Sequence, residues 1–243
     1  MGTGELWEYE VGTMIKLSNR LKLLASYVPQ ESIIADIGTD HGYLPVYLVL
    51  KGICPRAVAA DINQGPLEAA RSNILEHKAS GLIELRLGNG LEVLQPGEVE
   101  TIVIAGMGGG TIRDILTASP EVAGTVKRLI LQPMADEMEL RQYLLKSGWT
   151  LREEDLLLED GRLYVVMVAE RGYEWVENPV LLELGPRLLE KKHPLLGLFI
   201  AKRKEKYHKI LAGLAQSTLP EAREKAEGIR KKLQEIEGVE ACL

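Results

Sequence analysis

Between residues 32 and 147, five short apolar runs alternate with segments of helical spacing. The runs are 32–37, 56–61, 82–87, 101–105 and 128–132, and the helical segments are 43–51, 64–79, 109–117 and 136–147. A strand that is apolar at nearly every position has both faces covered, and helices between such strands mean a parallel sheet sandwiched by helical layers. After Gly148-Trp149 come two more strand-like runs, 151–158 and 162–170, joined by Asp160-Gly161. Asp-Gly between such runs is a hairpin signal, so the sheet is predicted to end in an antiparallel pair. Upstream, Leu17, Leu21, Leu24 and Val28 predict a helix over 14–28 that Pro29 ends, and residues 1–13 read as a loose extension.

The texture changes after Gly172. Leu195 to Leu214 carries apolar residues near helical spacing, and Pro220 follows a short break at a position suited to a helix start. Ala222, Ala226, Ile229, Leu233 and Ile236 then recur at steps of four and three, an a/d seam. Two heptads are short for independent association, so the seam predicts an intramolecular, coiled-coil-like hairpin in a monomer rather than a dimer seam. The predicted organisation is a catalytic body over 1–177 and a C-terminal helical hairpin over 178–243.

The 46% apolar content supports a sizeable core. No apolar run approaches membrane-spanning length, and no basic segment precedes an apolar stretch at the N-terminus, so a soluble, cytoplasmic protein with no membrane association is expected. Cys54 and Cys242 stand alone, without a CxxC or a Cys/His cluster, which argues against a disulfide framework or a metal site. Residues 1–177 hold 16 Lys/Arg against 26 Asp/Glu, whereas residues 178–243 hold 13 against 9. Eight of those cations lie between Arg187 and Lys209, and such a basic tail on an acidic body suits a polyanionic partner or a solvated helix face.

The first strand ends in Asp36-Ile37-Gly38-Thr39-Asp40-His41-Gly42, an acidic residue followed by a glycine-bounded turn and a helix. Gly38, Thr39 and Gly42 would let a ligand approach the backbone and the free N–H groups of the next helix. The second strand ends on Asp61, followed by Ile62, where an open α/β sheet grips a ribose diol. An adenosine-containing cofactor is implied. The nicotinamide fingerprint GxGxxG is missing, and the turn fits the first motif of class I S-adenosylmethionine methyltransferases better. There Asp36 would face the amino-acid end of the cofactor, and Asn89-Gly90 after the third strand would face adenine. Ala105-Gly106-Met107-Gly108-Gly109 ends the fourth strand, facing the methyl donor, with Met107 walling the transfer site.

Four stretches carry a specific resemblance: Lys16-Leu17-Ser18-Asn19-Arg20-Leu21, Asp36 through Pro45, Ala105 through Gly109, and Leu131-Gln132-Pro133. Together they resemble the bacterial tRNA adenine-22 N1-methyltransferases, over about residues 14–240. Asn89 stands where that pattern has Asp, and Met134 where it has Asn. The resemblance implies a Rossmann-like class I methyltransferase fold, S-adenosyl-L-methionine as cofactor, tRNA as substrate and N1 of adenine as the methyl acceptor.

Asp40 is the first candidate for catalysis, through the exocyclic amine and the charge on the methylated base, with His41 orienting it or touching the cofactor. The alternative for Asp40 is a helix cap. Tyr43 and Gln132 are candidate base contacts at the rim, and Arg20 a phosphate contact. Lys202, Arg203 and Lys206 are expected to meet the tRNA backbone. Competing readings are a small-molecule methyltransferase whose hairpin dimerises, and a non-catalytic module that keeps the cofactor pocket and binds proteins.

Overall fold

The computed structural model describes residues 15–217 and 219–243. The expected loose extension over 1–13 lies outside them. Seven strands form one sheet in the order β3-β2-β1-β4-β5-β7-β6. They are β1 (Ile34–Ile37), β2 (Ala57–Asp61), β3 (Ile83–Leu87), β4 (Thr101–Met107), β5 (Arg128–Pro133), β6 (Trp149–Glu159) and β7 (Arg162–Arg171). The first five are parallel, and β7 inserts antiparallel between β5 and β6. Central β1 is buried at all four positions, which is why its sequence does not alternate. This is the parallel sheet with an antiparallel end pair that the alternating runs predicted, in the Rossmann-like arrangement that the resemblance implied.

One face of the sheet carries α1 (Asn19–Ser26), α2 (Tyr43–Leu50) and α3 (Gln64–Glu76) over an apolar cluster that includes Leu24, Val46, Leu48 and Ile74. The other face carries α4 (Gly109–Ala118), α5 (Pro120–Thr125) and α6 (Glu137–Lys146) over a cluster that includes Ile112, Leu116, Leu140 and Leu144. Helix α1 is shorter than the predicted 14–28. Ser18 caps it by accepting a hydrogen bond from Leu21 N–H at 3.2 Å, so Leu17 is buried by packing ahead of the helix rather than within it.

After β7 the chain forms two short helices, α7 (Pro179–Leu184) and α8 (Pro186–Glu190), each opening on proline. The long helices α9 (Leu196–Leu214) and α10 (Pro220–Glu240) follow. Lys204 meets Glu240 and Tyr207 meets Lys232, the crossing pattern of an antiparallel pair. The seam residues Ala222, Ala226, Leu233 and Ile236 are buried within this chain. Leu196, Phe199, Ile200 and Ile236 join the apolar cluster of the second sheet face, so the base of the hairpin is continuous with the core. Among the described residues no helix is long and apolar enough to cross a membrane.

Candidate active site at the carboxyl edge of the sheet

The turn between β1 and α2 is stitched to its neighbour by main chain. Gly38 and Thr39 N–H both donate to Ala60 C=O, at 2.8 and 2.9 Å. Gly38 has φ +77°, and a Cβ there would lie 2.1 Å from Met107 Cε, so only glycine lets Met107 lie over the turn. His41 (φ 59°) and Gly42 (φ 65°) follow in the left-handed region. Gly42 occupies the cap position of α2, which has no side-chain cap. The cap alternative for Asp40 therefore falls away. Its carboxylate is exposed and sits 3.2 Å from His41 Nε2, while the His41 ring stacks on Tyr43 with centroids 5.4 Å apart.

Asp36 is buried, and its Oδ2 accepts from Thr39 Oγ1 at 2.7 Å. Burial pushes its carboxyl up to about 6, against the lowering pull of Thr39 and the Arg20 guanidinium; Asp61 and Asp40 add to the rise. Asp61 Oδ1 accepts from Asn63 N–H at 2.7 Å, and Asp61 C=O accepts from Gly88 N–H at 3.0 Å, tying β2 to the loop after β3. Ile62 and Asn89 are exposed on this rim, with Asn89 Nδ2 donating to Glu92 Oε1 at 3.2 Å. Gly90 (φ +55°) lies against Ile115, and a cavity of about 280 Å³ opens between Asn89, Gly90, Thr111, Asp114 and Ile115.

At the end of β4 the register shifts between Ala105 and Met107, leaving Gly106 exposed with φ +80°. Met107 C=O accepts from Met134 N–H at 2.8 Å, and Gly109 N–H donates to Ala135 C=O at 2.9 Å. Arg20 turns into this edge, and its Nη1 donates to Gln132 Oε1 at 2.9 Å. That Nη1 is 4.0 Å from where a Gly106 Cβ would stand, and the guanidinium lies 5.6 Å from the Tyr164 ring centre. Gln132 is fully buried, its Nε2 donating to Pro133 C=O at 3.0 Å. The expected rim contact at Gln132 is thus corrected: both ends of its amide are engaged inside, and it holds Arg20 in place. Arg20 in turn faces Asp36 and Gly106 rather than open surface. The Arg20–Tyr164 contact was not foreseen, because Tyr164 stands at the start of a continuous apolar run on β7 that offers no mark beyond ordinary packing.

A methyltransferase-domain family model matches residues 17–167. The tRNA (adenine(22)-N(1))-methyltransferase of Bacillus subtilis is 39% identical over 184 residues, covering 74% of this chain and 77% of that protein. The chain belongs to the tRNA (adenine-22-N1)-methyltransferase family. The crystal structure of the B. subtilis m1A22 tRNA methyltransferase matches this one with a TM-score of 0.86 at 33% identity, covering 93% of this chain and 99% of that one. A Streptococcus pneumoniae protein solved in complex with S-adenosyl-L-methionine matches with a TM-score of 0.82 at 34% identity, covering 92% and 99%.

The hairpin of this methyltransferase corrects one expectation. Arg203 is not a free surface cation: it is 11% exposed and paired with Glu137 and Glu183, each at 3.2 Å, with its guanidinium over the Phe199 ring. Lys202 and Lys206 are exposed, and Lys202 Nζ donates to Gly161 C=O at 3.3 Å. Gly161 lies in the turn joining β6 to β7, which closes at the same sheet edge as Asp36 and Met107. Much of the remaining basic cluster is internally engaged: Arg187 with Glu174 and Glu190, Lys191 near Asp155, and Lys204 with Glu240. A count of charges along the chain does not reveal this, because the partners come from distant elements.

Proposed function

We infer that this protein transfers a methyl group from S-adenosylmethionine to N1 of an adenine in tRNA, adenine 22 by the specificity its family is named for. The observation that carries the reading is the convergence of Asp36, Asp61 and Arg20 on one glycine-lined sheet edge in a chain of that family. The donor set suits the cofactor. Buried Asp36 offers an acceptor for the ammonium group, Asp61 for the ribose diol, and Asn89 an amide for the adenine edge. Gly38, Gly42, Gly90, Ala105 and Gly106 keep the backbone accessible around it, with Thr39, Ile62 and Met107 lining the same rim. Bound there, the cofactor supplies a sulfonium-activated methyl group.

Adenine N1 brings its own in-plane lone pair, so the chain needs no strong base; alignment and exclusion of water dominate. N1 lies on the pairing edge, so the target base must be unpaired or turned out of its stack. Asp40 accepts from the exocyclic amine and stabilises the positive charge left on the methylated base. The His41–Tyr43 stack holds Asp40 and offers the base an aromatic wall. Arg20, fixed by Gln132, keeps Asp36 ionised for the cofactor.

The work divides along the chain: residues through 177 hold the cofactor and base, and residues 178–243 hold the tRNA body. Lys202, Lys206 and Lys209, spaced along one face of α9, give sequence-independent phosphate contacts that begin beside the active-site edge. The protein acts as a single chain in the cytoplasm, where its substrate is. Incubation with unmodified tRNA and methyl-labelled S-adenosylmethionine, followed by mapping of the label, tests the reading. One N1-methyladenine at position 22 is expected, with no label in a transcript carrying guanine there. Labelling confined to other positions or to small molecules would sink it.

A further inference from the structure

We propose that Glu183 determines which adenine reaches the active site, by fixing the angle at which the hairpin leaves the body. The inference rests on the tRNA reading above. Glu183 lies on α7 and is 3% exposed. Its Oε1 receives Arg203 Nε of α9 at 3.2 Å, and its Oε2 receives Lys232 Nζ of α10 at 3.3 Å. A single carboxylate therefore tethers both hairpin helices. Arg203 continues to Glu137 of α6 at 3.2 Å, and Lys232 lies 3.6 Å from Met138 Sδ on the same helix.

The tether has a firm base. Arg141 of α6 donates to the carbonyls of Leu182 and Glu183 at 2.7 and 3.4 Å, while its Nε pairs with Glu154 of β6 at 2.6 Å. Both partners of that pair are fully buried. Helix α7 is thus locked to the sheet, and Glu183 stands on it as a fixed point. The apolar residues Leu196, Phe199 and Ile200 anchor the start of α9, but apolar burial has no preferred direction. Charge-assisted hydrogen bonds do, so they set tilt and rotation.

Further out, the ion pairs Glu205–Lys209 and Glu227–Arg230 lie within single helices and say nothing about the angle. The 19 residues of α9 span about 28 Å, so a tilt of ten degrees at the root moves the outer end by roughly 5 Å. The phosphate-binding face would then present a different nucleotide to Asp40. Glu183 is a positioning residue in this scheme; it touches neither base nor cofactor.

The test uses the full chain, unmodified tRNA and S-adenosylmethionine, with every methylated adenine mapped. In Glu183→Gln, cofactor affinity should stay within about twofold of wild type, while kcat/KM for tRNA falls about tenfold. Methylation should also appear at adenines that the wild type leaves untouched. Lys232→Met removes only the α10 tether and should give the same redistribution on a smaller scale; it decides the matter should the Gln variant fail to fold. A folded variant that methylates the same single adenine overturns the proposal, whether its rate is unchanged or merely lower, because mere structural support would cost rate alone. A wild-type protein that labels no tRNA would instead defeat the functional reading itself.

Discussion

The candidate active-site edge and the hairpin root are held together in opposite ways. At the edge the turns are fixed by main chain, with Gly38 and Thr39 N–H on Ala60, Gly109 N–H on Ala135, and left-handed backbone at His41, Gly42 and Gly106, and side-chain bonds such as Arg20–Gln132 only add to them. At the root the fixings are side chains: Arg141 on Glu154, and Glu183 between Arg203 and Lys232. A backbone-built site leaves its side chains free for ligands, so substituting those side chains should cost function before stability. A joint built from buried ions should show the reverse.

The largest expected effect tests the root. Arg141→Ala leaves the fully buried Glu154 with only the Arg187 N–H and no counter-ion, and should cost about 3–5 kcal/mol in denaturant unfolding. A loss below about 1 kcal/mol would mean that the pair is not an anchor, and the contrast would collapse. At the edge, Asp40→Asn should lower turnover about 10–100-fold while cofactor affinity and unfolding midpoint stay put. If affinity falls in step with turnover, Asp40 belongs to the cofactor shell. Asp61→Ala should weaken S-adenosylmethionine binding by about 1–3 kcal/mol in calorimetry; unchanged affinity in a folded variant removes it from the site.

The smallest effect is a pH dependence. Folding raises the Asp36 carboxyl from its ordinary value of 3.8 to about 6, so the ionised form is disfavoured in the folded protein. Its contribution to stability is present below the ordinary value and is lost as pH rises through about 6. Binding an ammonium needs the ionised form, so cofactor affinity should fall up to about tenfold per pH unit on acidification below that point. Asp36→Asn should flatten the profile. Arg20→Met, which removes a lowering charge, should move the fall to higher pH; a profile identical to wild type would detach Arg20 from Asp36.

The same contrast explains what could be read from the chain. Strand positions came through within a few residues, because a buried parallel strand announces itself locally: 32–37 for Ile34–Ile37, 128–132 for Arg128–Pro133. The position of Asp36, Gly38, Gly42 and Asp61 at strand ends and turns was legible for a similar reason, as such places carry their own residue signals. Short helices such as α5, α7 and α8 have too few turns to show a period. The Arg20–Gln132 bond joins residues 112 apart, and Arg203 differs from Lys202 and Lys206 only in which carboxylates fold up against it. Pairings of that kind exist only in three dimensions.

The Arg141 clamp also has a place in time. Its partner Glu154 follows it by 13 residues, but the Leu182 carbonyl that completes its bonding comes 41 residues later. Synthesis runs from the N-terminus, so all five parallel strands are made before that carbonyl exists. Until α7 arrives, the Arg141–Glu154 pair lies open to water on one side. The nascent chain therefore completes its parallel strands first and seals a charged seam last, and the helical hairpin is mounted on that seal.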